Sequence, residues 1–311
     1  MAKEFKTIDE LISILESRGV ITDPNTRTQL MRESYYAIVN GYKRPFLDLE
    51  AMKSNPGDVY KPGTKFEWIY TLFLFDRDLR NITFKYLAKA EAIMKSASVY
   101  AFCKAHQDPG AYLLANSYAS EREMLFPKGY RGDKRKRYRK DIKNLLSTLR
   151  SRNDDSSKPF IQHYSSKYGF VPLWVLSNNL TFGNMAHFYQ LQKRSEQNEA
   201  CRIIVESAGG DRYKNGRLTP HDVLRAFNTL SEFRNLCAHD DRLYCAKVGK
   251  GKDIGYSDMV AIFSKILPKT EVESFISELN GLFRRYGSKL HAVKMGDLID
   301  EMGFETKEKE A

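Results

Sequence analysis

Residues 65–106 read KFEWIYTLFLFDRDLRNITFKYLAKAEAIMKSASVYAFCKAH. The stretch holds neither Gly nor Pro, the two residues least compatible with a helix interior. Trp68, Ile69, Leu72, Phe73, Leu79, Ile82, Leu87 and Ile93 recur near helical spacing, which predicts one very long helix or two joined end to end. Toward the N-terminus, Thr7-Ile8-Asp9-Glu10 is a capping-box signal for a helix carrying Leu11, Ile12 and Leu15, with Gly19 as its stop. A second helix is predicted from Asp23-Pro24 to Asn40-Gly41. Toward the C-terminus, helix is predicted to about Leu149, then a linker from Ser151 to Ser157 and a segment starting at Pro159 with a turn at Gly169. Further helices follow around Leu173–Leu176 and after Thr181, with a break at Gly209-Gly210. Thr219-Pro220-His221-Asp222 opens another, with Thr as N-cap and Pro in the first turn. A lysine- and glycine-rich loop, Lys247 to Gly255, leads to two or three tail helices. Strand signals are nearly absent and no internal repeat is present, so the expected class is all-α.

The 311 residues are 42% apolar and 29% charged, the mix of a folded chain rather than a disordered one. Only 19 Gly and 10 Pro exclude collagen-like and low-complexity architectures. Fifty Lys and Arg against 39 acids give a net charge of +11, which favours a polyanionic partner. The first residues are too acidic and too poor in apolar side chains for a signal peptide, and the greasiest run, Ile69–Phe75, is far short of the ~20 residues that span a bilayer. No membrane partner and a cytoplasmic location are therefore expected. Cys103, Cys201, Cys237 and Cys245 form no C-x-x-C pair and read as reduced core thiols. Cys237, His239 and Cys245 can be imagined around zinc, but their spacing fits no common pattern, and no metal or other cofactor is expected.

On a wheel of about 100° per residue, Val223, Ala226, Phe227, Leu230, Phe233 and Cys237 form one apolar stripe, and Arg234 falls inside it. A guanidinium on a buried face needs an anion or a carboxylate partner. His239 follows five residues later, roughly 140° around the axis, and Asn235 shares a face with it. Histidine with arginine suits phosphodiester cleavage in RNA: imidazole moves a proton at ribose or leaving-group oxygen, and guanidinium stabilises the phosphoryl oxygens. One imidazole does not readily serve as both base and acid in one turnover, so two copies across a two-fold axis are favoured. The plainer alternative is an arginine paired with a buried acid and a histidine at a helix C-terminus, where its positive form suits the dipole.

Arg234-Asn235-Leu236-Cys237-Ala238-His239 resembles the Arg-x4-His motif of the HEPN superfamily, and the run from Phe233 to Tyr244 resembles its Abi-like (abortive-infection, AbiD/AbiF-type) family. Three more blocks are similar in order: Tyr35–Tyr42 with Pro45-Phe46, then Phe75–Arg80 followed by Ala90-Glu91-Ala92, then Pro172-Leu173-Trp174 with Thr181–Asn184. The resemblance implies a HEPN-like helical bundle over residues 1–247, with a basic helical insertion at 127–158; it does not cover the tail, where residues 248–311 are expected to form a C-terminal helical extension. It implies a metal-independent endoribonuclease of antiphage or toxin–antitoxin systems that leaves a 2′,3′-cyclic phosphate and acts as a homodimer. Arg234 and His239 would be its catalytic pair, supported by Asn235, and Asp76, Arg80 and Glu91 would act from behind them. Members silenced by a nucleotidyltransferase carry tyrosine two residues after the histidine; here that place holds Asp241, so a bound noncoding RNA is the expected regulator instead.

Nine basic residues and two acids lie between Lys128 and Lys143, interleaved with Tyr130 and Tyr138. Lys134, Arg135, Lys136, Arg137, Arg139, Lys140 and Lys143 are expected to grip RNA phosphates, with Tyr138 stacking on bases and Lys247 adding a contact after the motif. RNA is thus the expected partner, as substrate and as regulator, with no need for DNA. The alternatives are a non-catalytic RNA-binding protein on the same scaffold and a protein-interaction module with a structural Arg234. Trp68 and Trp174 read as core anchors, and His106, His163, His187, His221 and His291 as isolated surface or packing residues.

Overall fold

The computed structural model describes residues 4–55, 57–209 and 218–304. Within them the chain is all-α, with only isolated bridge pairs such as Ile21 with Lys65 outside the helices. Helix α1 (Ile8–Ser17) opens on the expected capping box: Glu10 N–H donates to Thr7 Oγ1 (3.3 Å) and Thr7 N–H donates to Glu10 Oε2 (2.7 Å). Helix α2 (Pro24–Glu33) is capped by Asp23 but stops well short of Asn40. Ser34 takes a left-handed φ of 62°, and its Oγ accepts from Ala37 N–H (3.3 Å) to start a separate π turn over Tyr36–Asn40. A serine hydroxyl that competes for local backbone donors breaks what the apolar pattern reads as one helix.

The Gly- and Pro-free stretch is a single helix, α3 (Phe66–Ala105). There follow α4 (Lys134–Asn153), α5 (Pro159–Tyr168), α6 (Leu173–Leu176), α7 (Phe182–Leu191), α8 (Arg194–Ser207), α9 (Pro220–Ala238), α10 (Tyr256–Ile266), α11 (Lys269–Gly287) and α12 (Met295–Glu301). Helix α4 runs past Leu149 into the expected linker, α5 ends on Gly169 at φ 75°, and Gly209 turns the chain at φ 98°; Gly210 lies outside the described residues. No helix among the described residues is long and apolar enough to cross a membrane.

Packing divides the chain into two compact units. The first comprises Met1–Thr83, Leu236–Ala246 and Phe275–Ala311. Its core is built from Leu15, Leu30, Phe46, Ile69, Leu72, Leu79 and Leu282, and Phe75 packs edge-on against Tyr286 at 5.6 Å between ring centroids. The second comprises Phe84–Asn235 and Lys247–Ser274. There Phe102 lies 5.3 Å from Phe188, Phe227 lies 5.4 Å from Tyr189, and buried Gln192 donates from Nε2 to the carbonyl of Ser98 (2.7 Å). Residues 248–311, read from the sequence as one extension, are shared between the units because the boundary falls inside α11.

Trp174, expected in the core, is 57% exposed. It lines a groove of about 670 Å³ in the second unit together with Glu91, Lys95 and Tyr100. Trp68 is half-buried, with Lys65 Nζ over its ring. The short helix α6 buries Leu173, Val175 and Leu176 and so turns the indole between them outward.

Candidate functional site

In the first unit, the end of α9 and the segment behind it are held by the first half of α3. Helix α9 stops at Ala238; His239 follows, and Asp240 takes a left-handed φ of 56°. Asp241 N–H donates back to the carbonyl of Leu236 (3.0 Å), the six-to-one bond of a Schellman helix end. Glycine is the residue that best tolerates the conformation of Asp240. Asp240→Gly and Asp240→Ala both lose the carboxylate and only alanine keeps the Cβ strain, so the glycine variant is expected to be the more stable of the two by about 1 kcal/mol. Thermal denaturation of the two variants checks the order.

Asp76 on α3 is the hub beneath this segment. Its carboxylate accepts from the backbone N–H groups of Leu243 (2.9 Å) and Tyr244 (2.8 Å), from Tyr42 Oη (2.7 Å) and from Arg80 Nη1 (2.9 Å). Arg80, one turn further along α3, is 2% exposed; its Nη1 reaches the carbonyl of Asp241 (3.4 Å) and its Nη2 lies 3.3 Å from the Asp240 carboxylate. Burial raises the Asp76 carboxyl above the usual range, while the Leu243 N–H and Arg80 pull it back. Burial beside Asp76 likewise raises the Tyr42 phenol. The backbone from Asp240 to Tyr244 is thus pinned to α3, directly after an exposed His239 whose imidazole has no hydrogen bond or ion pair among the described residues.

Cys237 is buried, and its thiol is pushed up to about 12 by desolvation. At pH 8 only about one part in ten thousand is then thiolate, so iodoacetamide is expected to spare Cys237 in the native protein and label it after denaturation, as peptide mass mapping would show. Cys245 is also raised by burial. No group of three or more His, Cys, Asp or Glu side chains suited to a metal ion occurs among the described residues, Cys237, His239 and Cys245 included.

The second unit carries Arg234 and Asn235. The apolar stripe of α9 is buried as read, from Val223 to Phe233, but Arg234 is only half-buried at its edge. Its guanidinium carbon lies 6.0 Å from the centroid of the Phe84 ring, and among the described residues no carboxylate or other hydrogen-bond partner meets it. The expected anionic partner within the chain is absent there, because the side chain leaves the core along an aromatic face instead of needing a buried counter-charge. Asn235 is exposed. Glu91 belongs to the second unit and pairs with Lys95 (3.6 Å).

Helix α4 bears the basic run, with Asp133 capping it through Lys136 N–H (2.9 Å). Some cations are already engaged: Arg137 with buried Asp141, Arg135 with Glu121 (3.8 Å), and Lys134 over the Phe126 ring (5.5 Å). Lys136, Arg139, Lys140 and Lys143 are exposed without an ion pair among the described residues, and their spacing puts them on one helical face. Tyr138 is half-buried, and Tyr130 is stacked on Phe126 at 5.2 Å, so neither is a free platform for a base. Lys247 is exposed, with its ammonium against Gly255.

Tyr42 and Asp240 carry no local signal of these roles in the sequence. Tyr42 lies 34 positions before the carboxylate it serves, and no spacing rule reaches that far. His106 is not isolated either: its Nε2 lies 2.8 Å from buried Glu196.

Residues 28–245 match the family described as Abi-like protein, and this span takes in the Asp76 hub, the basic helix α4 and the Arg234–His239 run. No curated protein and no solved structure matches the chain.

Proposed function

The chain belongs to the Abi-like protein family, and from that premise we propose that it is an abortive-infection effector whose activity is HEPN-type RNA cleavage. The ribose 2′-hydroxyl attacks the adjacent phosphorus, the 5′-oxygen leaves, and a 2′,3′-cyclic phosphate remains. His239 transfers the proton at one of these oxygens, Arg234 stabilises the phosphoryl charge, and Asn235 holds the strand beside them. A second copy supplies the second imidazole, which makes the active form a homodimer. A structured noncoding RNA is the proposed regulator.

The observation that supports this reading is that both ionic groups of the motif are structurally uncommitted. Arg234 meets no acid among the described residues, and His239 is exposed with no partner there. A half-buried guanidinium that no carboxylate holds keeps its planar fork available for phosphoryl oxygens. The test is incubation of the purified chain with single-stranded RNA in EDTA, with the product ends read by mass spectrometry. Cyclic-phosphate ends support the reading; intact RNA that stays bound supports a non-catalytic RNA-binding protein, which the unpaired cations of α4 also suit.

A further inference from the structure

We propose that the cavity at the start of α4 is a nucleotide-phosphate pocket, formed by Lys128, Lys134, Arg194 and His221; the reading of RNA as partner bears only on where that phosphate comes from. The cavity measures about 330 Å³, within the roughly 300–1,000 Å³ of small-ligand sites. Three helices bring its polar side chains together: Lys134 is the first residue of α4, Arg194 the first of α8, and His221 the second of α9, while Lys128 comes from the loop before α4. No carboxylate among the described residues lines it. The acid that bears on Lys128 is Asp222, which already accepts from Thr219 N–H (3.0 Å) and Thr219 Oγ1 (2.6 Å).

Neither Lys128 nor Arg194 has an ion pair among the described residues, so the cluster repels itself until an anion enters. Its walls are ordered beforehand. Phe126 and Tyr130 stack on one another, and Lys134 lies over Phe126, which fixes the ammonium in place. Lys134 also begins the helix whose exposed face carries Lys136, Arg139, Lys140 and Lys143. A strand with one phosphate in the pocket can then run along α4 from cation to cation.

The experiment compares the full-length wild type, the Lys128→Ala/Arg194→Ala double variant and a Lys104→Ala/Arg202→Ala control, whose cations are already held by Glu199. Affinity for a fluorescent single-stranded RNA 12-mer is measured over a salt series. Histidine-selective NMR follows His221 during titration with the RNA, with adenosine monophosphate and with inorganic phosphate. The double variant is expected to bind RNA at least about tenfold more weakly, with a salt slope smaller by about 0.7, while the control is unchanged. His221 is expected to shift with every phosphate probe. A His221 shift with the mononucleotide, in a chain that binds no RNA, keeps the pocket, identifies a free nucleotide as its ligand and refutes the RNA reading. RNA binding that the double variant retains, with His221 unmoved by any probe, overturns the pocket and leaves the RNA reading intact.

Discussion

His239→Ala is expected to slow RNA cleavage by about two to four orders of magnitude, the usual contribution of a positioned proton-transfer group. Stability should change by no more than about 0.5 kcal/mol, because the imidazole is exposed and bonds to nothing among the described residues. RNA affinity should hold, since binding draws on phosphate contacts elsewhere. Arg234→Lys extends the test. It keeps the charge but loses the planar fork that reaches two phosphoryl oxygens, so it should also be strongly impaired. Single-turnover cleavage in EDTA, alongside RNA binding and thermal melts, separates chemistry from folding. A stable His239→Ala protein that cleaves at the wild-type rate would sink the proposed site.

Asp76→Ala should be the most damaging single change in the first unit. It removes the acceptor of the Leu243 and Tyr244 N–H groups and of Tyr42, and leaves a buried Arg80 without its nearest counter-charge. Arg80 Nε has no partner among the described residues, and the carboxylate left to the guanidinium is the exposed one of Asp240 (3.3 Å). Breaking a buried ion pair from one side costs about 3–5 kcal/mol, a large share of the roughly 5–15 kcal/mol that keeps a domain folded. The double change Asp76→Leu/Arg80→Met removes both charges and should recover part of that loss, but not all, because two backbone donors still lack an acceptor. Urea denaturation of the single and double variants reads both quantities. Recovery to wild-type stability in the double variant would show that the hub acts as an ion pair alone and that its hold on residues 240–244 carries no energy.

Helices were the legible part of the chain. The Gly- and Pro-free run from Lys65 to His106 becomes α3, and Thr7, Asp23, Thr181 and Thr219 stand at the helix starts that their side chains can cap. These features depend on neighbours three or four positions away, and local backbone chemistry decides them. Ser34 escaped because a left-handed residue inside an otherwise helical pattern leaves no compositional trace.

The site was legible as residue types and not as partnerships. The α4 cations stand out by charge, and Arg234 and His239 by the resemblance of the run that holds them. Which of them are free depends on contacts between distant segments: Asp76 reaches residues 243 and 244, and Phe84 meets Arg234. Arg80 is buried because α3 is enclosed there, and Trp174 is exposed because α6 buries its other side chains. Periodicity sets the face on which a side chain lies. What covers that face, and whether a charge on it is neutralised or left for a ligand, is set by packing between segments far apart in the chain, and no local pattern encodes that.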